Sequence, residues 1–133
     1  MKIREVFSYD DVLLVPKHSD IISRSEVNLQ TQLDPELIFD LPVISAPMDT
    51  VTEASMCIAM ADAGGLGIIH RYNSIEEQAE QVEEILNYFP PVHAHKVAAA
   101  IGITGDFIER ASALKEAGAK ILCLDVAHGH HIL

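Results

Sequence analysis

The chain has 133 residues, 49% of them hydrophobic, and carries 20 acidic against 9 basic side chains, for a formal net charge of −11. This length and apolar content predict one globular domain. The acidic balance argues against nucleic acid or a membrane as partner, because both require clustered Lys and Arg. The sequence also shows no run of roughly 18 apolar residues and no signal peptide, so we expect a cytoplasmic protein.

Residues 1–40 are expected to form an N-terminal arm that precedes the repeated part of the chain. Residues 10–16 form a short apolar run closed by Pro16, and residues 27–31 alternate in the manner of an exposed or edge strand. Neither segment shares the pattern that begins near residue 41.

Residues 41–133 repeat a strand–helix unit. Four short segments are continuously apolar, as expected of parallel strands buried on both faces; they are residues 43–45, 67–69, 97–101 and 121–124. Four such units predict the first half of a (β/α)8 TIM barrel. A flavodoxin-like open sheet is the competing topology, although it usually starts with a strand and lacks a long arm.

The helices between these strands carry start and stop signals. Thr50, Ser74 and Asp106 each stand three residues before a Glu, a spacing that predicts an N-terminal cap. The predicted ends are Gly64-Gly65, Pro90-Pro91 and Gly118. The middle helix places an apolar stripe on one face and glutamates elsewhere; the stripe is Ile75, Ala79, Val82, Leu86 and Phe89.

Several polar residues follow the predicted strands, where parallel α/β folds build ligand sites. Asp125 ends the fourth strand and either accepts hydrogen bonds from a ribose or nicotinamide or caps the next helix. Asp49 and Thr50 either cap a helix or help its N-terminus to bind an anion. Residues 102–105 are interpreted as a tight turn, because they lack the order of a phosphate-binding loop.

The remaining candidate groups carry weaker signals. His128, His130 and His131 do not have the spacing and partners of a metal site, so no metal ligand is predicted. Cys57 and Cys123 lie inside apolar segments and are interpreted as small core residues, since an activated thiolate needs an electropositive, partly exposed position.

Four motifs together resemble the amino-terminal half of the IMP dehydrogenase and GMP reductase family. They are residues 9–16 (YDDVLLVP), 45–51 (SAPMDTV), 64–70 (GGLGIIH) and 125–130 (DVAHGH). The resemblance implies a (β/α)8 barrel that binds a purine nucleotide monophosphate, GMP or IMP, and a nicotinamide cofactor, NADP or NAD, as a homo-oligomer, a tetramer in the family. It also implies a cysteine nucleophile on a later loop and, in the dehydrogenases, a potassium site beside it.

The resemblance assigns roles to individual residues. The implied substrate-binding residues are Ala46 and Met48. The implied cofactor-binding residues are Asp125, Val126, Ala127, Arg71, Ser23 and Arg24, the last two reaching a neighbouring subunit's cofactor. We expect that the catalytic loop and the potassium site lie outside residues 1–133, so that no catalytic residue is assigned and the chain alone is inactive without a C-terminal half.

The choice between the two activities rests on short segments. Residues 23–27 and 123–127 look like those of the reductases. Val97 follows only six positions after Pro91, which leaves no room for the CBS modules that dehydrogenases usually insert. The segment SAPMDT with GGLGIIH looks more like the dehydrogenases. A GMP reductase is preferred, with a CBS-less IMP dehydrogenase and a non-catalytic half-barrel that binds a nucleotide or oligomerises as alternatives.

Overall fold

The computed structural model describes residues 3–89 and 96–132. Its strands are β1 (Thr31–Asp34), β2 (Leu37–Phe39), β3 (Ile44–Ser45), β4 (Leu66–Ile69), β5 (Ala98–Ile101) and β6 (Ile121–Leu124). Its helices are α1 (Ala54–Asp62), α2 (Ile75–Tyr88) and α3 (Phe107–Ala117), and two short 3-10 turns cover Tyr9–Asp11 and Arg24–Glu26. None of the helices in these ranges is long and apolar enough to cross a membrane.

Strands β3 to β6 form one parallel sheet in the order β3-β4-β5-β6. The pairing aligns Ile68 with Ala98 and Ala100 with Cys123. All four predicted strands are therefore confirmed, as is the α/β class. Closure of the sheet into a barrel stays a prediction.

The two central strands, β4 and β5, are buried on both faces, which explains their continuous apolar runs, whereas β3 and β6 at the sides of the sheet are partly exposed. Side chains alternate along a strand, so Ala99 and Ile101 of β5 join the core beneath the helices. Ala98 and Ala100 face the opposite side, where they pack with Phe39 from strand β2. Phe39 is 2% exposed and shields that face of the sheet.

The predicted arm contains an exposed segment and a hairpin. Residues 3–30 are exposed along their whole length. The strand expected over residues 27–31 is wrong, because β1 begins only at Thr31 and pairs antiparallel with β2. Burial of Phe39 beneath the parallel sheet fixes the position of the hairpin, and local alternation in the sequence does not reveal that contact.

Only one of the three predicted helix caps forms as expected. Ser74 Oγ accepts a hydrogen bond from the Glu77 amide at 3.1 Å, and the Glu77 carboxylate accepts from the Ser74 amide at 2.9 Å. Asp106 is the N-cap residue directly before α3, as predicted, but its side chain makes no cap bond. The Thr50 cap is wrong, because α1 begins four residues later at Ala54.

The start of α1 is capped by a tertiary contact. The Ala54 amide donates to Gln81 Oε1 of α2 at 3.1 Å, across 27 residues of sequence. This bond satisfies an N–H that the helix itself leaves unpaired. Gly118 ends α3 with φ 107°, as predicted, and Gly64 has φ 87°, whereas Pro90-Pro91 lies outside the described residues.

Gly67 is required where α1 crosses β4. A Cβ at this position would lie 2.5 Å from Cys57 Cα and 2.7 Å from Cys57 Sγ. The helix therefore approaches the strand more closely than any side chain on Gly67 would permit.

We predict that Gly67→Ala lowers the free energy of unfolding by about 1–3 kcal/mol or more, because the Cβ would collide with backbone that cannot move independently. The matched control is Gly129→Ala, since a Cβ there meets nothing within 4 Å. Urea unfolding followed by circular dichroism measures both. Equal stability of the two variants would contradict the close contact.

Candidate functional site

The carboxyl ends of β3 to β6 lie at one edge of the sheet, here called the carboxyl edge. Four short segments meet there, one after each strand; they are Ala46–Met48, His70–Tyr72, Gly102–Thr104 and Asp125–Ala127. In parallel sheets this edge is where ligands bind. The edge therefore collects most of the residues to which the sequence assigned a binding role.

An ion pair crosses the carboxyl edge between Arg71 and Asp125. Arg71 Nε lies 3.2 Å from Asp125 Oδ2, although β5 separates the strands that carry them. The Arg71 side chain passes over Gly102, the residue that follows β5, where an added Cβ would lie in ordinary van der Waals contact with the guanidinium at 3.6 Å. The two side chains are 36% and 31% exposed, so each remains accessible to a ligand.

Both partners of this ion pair are held by their surroundings. The Asp125 amide donates to the Ile101 carbonyl at 2.9 Å, which extends the ladder between β5 and β6. Arg71 Cζ lies 5.3 Å from the centre of the Tyr72 ring, within the range of a cation–π contact. A half-exposed ion pair contributes about 1 kcal/mol at most, so these neighbouring contacts determine where the two groups lie.

The turn after β3 is fixed by one buried hydroxyl. Thr52 is 0% exposed, and its Oγ1 lies 2.6 Å from the Ala46 carbonyl and 2.9 Å from Ser45 Oγ. The Thr52 amide also donates to the Met48 carbonyl at 3.0 Å. These bonds form a tight corner that leaves Met48 50% exposed at the carboxyl edge.

This corner is not a helix start. The sequence left open whether Asp49 and Thr50 cap a helix or present its N-terminus to an anion. Both alternatives are wrong at this position, because α1 begins at Ala54. Thr52 is tied instead to the strand that precedes it, which separates the corner from the helix.

His70 is buried in a single tautomer. Its Nδ1 accepts a hydrogen bond from the Tyr72 amide at 3.1 Å, so the ring proton lies on Nε2, which is 3.5 Å from Glu53 Oε1. The side chain is 4% exposed.

Gln78 joins the ends of two strands. Its Nε2 donates to the His70 carbonyl at 3.0 Å and to the Ala100 carbonyl at 2.8 Å. Gln78 is 0% exposed, so no water replaces these bonds. Gln78 was not predicted as a site residue from the sequence, although a lone polar side chain four positions before Val82 on the apolar face was a usable signal.

Arg110 completes this polar network. Its guanidinium donates to Gln78 Oε1 at 2.9 Å, to the Asn73 carbonyl at 3.1 Å and to the Ser74 carbonyl at 3.4 Å. Asp106 supplies the opposite charge at 3.0 Å. Arg110 is 8% exposed and was also missed, although it lies four residues before the buried Leu114.

The remaining assigned residues lie apart from the ion pair. Val126 is half-buried and Ala127 exposed, directly after Asp125. Ser23 and Arg24 lie in the exposed arm, where Ser23 Oγ accepts from the Ser25 amide at 3.3 Å. Within the described ranges, neither forms a hydrogen bond or ion pair with the carboxyl edge. Their role toward a neighbouring subunit stays a prediction.

The histidines after β6 do not form a metal cluster in the described part of the chain. His128 Nδ1 accepts from the His130 amide at 3.2 Å, which makes this histidine part of a local turn. The alternative in which Asp125 caps a following helix has no support, since no helix begins within residues 126–132.

Neither cysteine has the environment of a nucleophile. Burial raises the pKa of the Cys57 thiol from 9.0 to about 12. Burial and, secondarily, the negative charge of Asp125 raise the pKa of Cys123. Both effects favour the unreactive thiol, which supports the interpretation of the two residues as packing groups.

Fold and site together define an α/β protein with a parallel sheet and an ion-paired, ligand-accessible carboxyl edge. A sequence model described as the IMP dehydrogenase / GMP reductase domain matches residues 6–133. The chain belongs to this family.

Three relatives illustrate the similarity. The inosine-5'-monophosphate dehydrogenase of Nitrosopumilus maritimus is 54% identical over 85 residues, 64% of this chain and 18% of the relative. That of Bacillus subtilis is 55% identical over 82 residues, 62% of this chain and 17% of the relative. That of Borreliella burgdorferi is 33% identical over 172 aligned positions, 96% of this chain and 42% of the relative. The chain therefore spans less than half the length of each.

We predict that Thr52→Val destabilises the protein by about 1–3 kcal/mol, because the Ala46 carbonyl loses its hydroxyl donor in a buried corner. Thr50→Val is the matched control, since Thr50 is exposed two residues away. Denaturant midpoints at constant m-value report the difference. Two equal midpoints would show that the hydroxyl does not hold the corner.

Cys57 should make stability depend on alkaline pH. Between about pH 9 and pH 12 the unfolded thiol loses its proton while the folded thiol keeps it, so stability falls as the pH rises, by up to about 1.4 kcal/mol per pH unit. Cys57→Ala should remove this slope, and Cys123→Ala should reduce it less. Unfolding free energies measured from about pH 8 to pH 10 test this; an unchanged slope in Cys57→Ala contradicts the burial argument.

Proposed function

We propose that this chain forms the nucleotide-binding amino-terminal part of an IMP dehydrogenase, with NAD at the carboxyl edge and IMP at the corner after β3. The observation that carries the proposal is the Arg71–Asp125 pair, a cation and an anion that lie 3.2 Å apart at the carboxyl edge, next to Gly102. The relatives named above support the dehydrogenase rather than the reductase preferred from the motifs, because each carries the dehydrogenase name.

The residues at the edge fit a nicotinamide dinucleotide. Asp125 uses Oδ2 toward Arg71, and within the described residues its Oδ1 accepts no hydrogen bond, which suits it to ribose hydroxyl donors. Arg71 would face a phosphate or the carboxamide oxygen of the cofactor. Val126 and Ala127 continue the same segment and would contact the nicotinamide end. When bound, the nicotinamide supplies the hydride acceptor.

The corner would hold the purine monophosphate. Met48 offers a half-exposed, polarisable side chain to a flat base, and the bonds from Thr52 keep the backbone at Ala46 in place. Cys57 and Cys123 lack the chemistry of a nucleophile. We therefore infer that residues 1–133 bind and orient ligands, and that turnover requires a cysteine loop from further chain. A tetramer is the assembly that the family resemblance implies.

A GMP reductase that uses NADPH is the second candidate. The resemblance of residues 23–27 and 123–127 to reductases favours it. Arg24 is exposed and has no ion pair among the described residues, so it could meet the 2′-phosphate that distinguishes NADPH from NADH. Arg24 therefore discriminates the two candidates experimentally.

Calorimetric titration of the chain with NAD, NADPH, IMP and GMP tests the proposal. We expect NAD and IMP to bind, and Arg71→Gln or Asp125→Asn to weaken NAD by about tenfold or more while IMP affinity is unchanged. Lys115→Gln, at an exposed position of α3, is the control and should leave NAD binding intact. Preferential binding of NADPH and GMP, with NADPH weakened by Arg24→Gln, would favour the reductase. If no nucleotide binds, the proposal is rejected.

A further inference from the structure

We propose that Gln78 and Arg110 are positioning residues for the dinucleotide site: they fix the turn over residues 70–74 so that Arg71 meets Asp125. This inference rests on the proposed function, since it takes Arg71 and Asp125 as the cofactor-binding pair. Neither Gln78 nor Arg110 bonds to the side chain of Arg71 or Asp125, and both act through the backbone.

Gln78 determines where the turn begins. Its amide holds the His70 carbonyl at 3.0 Å, and that carbonyl belongs to the peptide that leads directly into Arg71. The same amide holds the Ala100 carbonyl of β5 at 2.8 Å, two residues before Gly102. The base of Arg71 and the strand that Arg71 crosses are thus fixed to one buried group.

Arg110 determines the orientation of that group. Its guanidinium donates to Gln78 Oε1 at 2.9 Å, which directs the opposite side of the amide, Nε2, toward the two carbonyls. The other guanidinium nitrogen holds the Asn73 carbonyl at 3.1 Å, at the far end of the turn. The planar guanidinium offers a separate nitrogen to each of the two acceptors in a fixed geometry, whereas lysine offers a single ammonium nitrogen without that fork.

Asp106 balances the charge of Arg110 and keeps the network neutral. Removal of the Gln78 amide or the Arg110 guanidinium would leave several buried carbonyl or amide groups without a hydrogen-bond partner. The turn over residues 70–74 would then shift. The corner and the turn share one backbone hydrogen bond, from the His70 amide to the Thr52 carbonyl at 3.3 Å. The Ala46 carbonyl itself is bound by the Thr52 hydroxyl and not by Gln78 or Arg110. Loss of the network should therefore weaken the dinucleotide site and leave the hydroxyl contact that fixes Ala46 in place, a selectivity that a merely structural role would not produce.

The test uses the full chain labelled with nitrogen-15 arginine, in which the Nε–H signal of Arg71 is assigned with Arg71→Lys. We expect Gln78→Met and Arg110→Lys to shift this signal to the resonance position of a free guanidinium. Its proton should then also exchange with water as fast as that of a free guanidinium. Calorimetry should show NAD affinity weakened about tenfold, as a misplaced binding group predicts, with IMP affinity unchanged. Lys115→Met, on the exposed face of α3, is the control and should change neither reading.

Three results would overturn the inference. One is a folded variant that keeps the Arg71 signal and wild-type NAD affinity. The second is an equal loss of affinity for NAD and for IMP, and the third is failure of both variants to fold. The second and third results would indicate that the network only stabilises the fold in general. If Arg71→Gln leaves NAD affinity intact, the proposed function is wrong, whereas the arginine signal still reports whether the network positions the turn.

Discussion

The buried contact between Arg110 and Gln78 is the constraint on which the carboxyl edge depends. A guanidinium and a primary amide, both shielded from water, must satisfy each other and the carbonyls around them or incur the cost of burying unpaired polar groups. That requirement joins β4, β5, α2 and α3 at one point. Apolar packing alone could let these elements slide, because Ala98, Ala99 and Ala100 present only small, featureless surfaces.

The two ends of the parallel sheet are stabilised by different kinds of contact. Away from the carboxyl edge, close packing dominates: α1 lies against Gly67, and Phe39 covers one face. At the carboxyl edge, directed hydrogen bonds dominate, from Thr52 in the corner and from Gln78 beneath the turn. Directed bonds specify geometry more strictly than apolar contacts, which is what a site that must align two ligands requires.

The sequence predicted the parts of this structure that depend on local patterning. Continuous apolar runs located β3 to β6, the Ser74 capping box located the start of α2, and Gly118 located the end of α3. The parts it could not predict depend on distant contacts. The Ala54 amide finds its acceptor at Gln81, 27 residues away, and Arg71 meets Asp125 over a separation of 54 residues. The site residues after each strand were identifiable by position. Gln78 and Arg110 lie on helices, and their only signal was helical spacing to the buried Val82 and Leu114.

The central claim is that the carboxyl edge of this sheet binds a nicotinamide dinucleotide. The most direct measurement is a map of backbone amide chemical shifts during titration of the nitrogen-15 labelled chain with NAD. The account predicts that the perturbed amides cluster in three segments that the sheet brings together, residues 70–72, 102–104 and 125–127. Perturbations confined to the outer face of α2 or to the opposite end of the sheet, or none at saturating NAD, would contradict it.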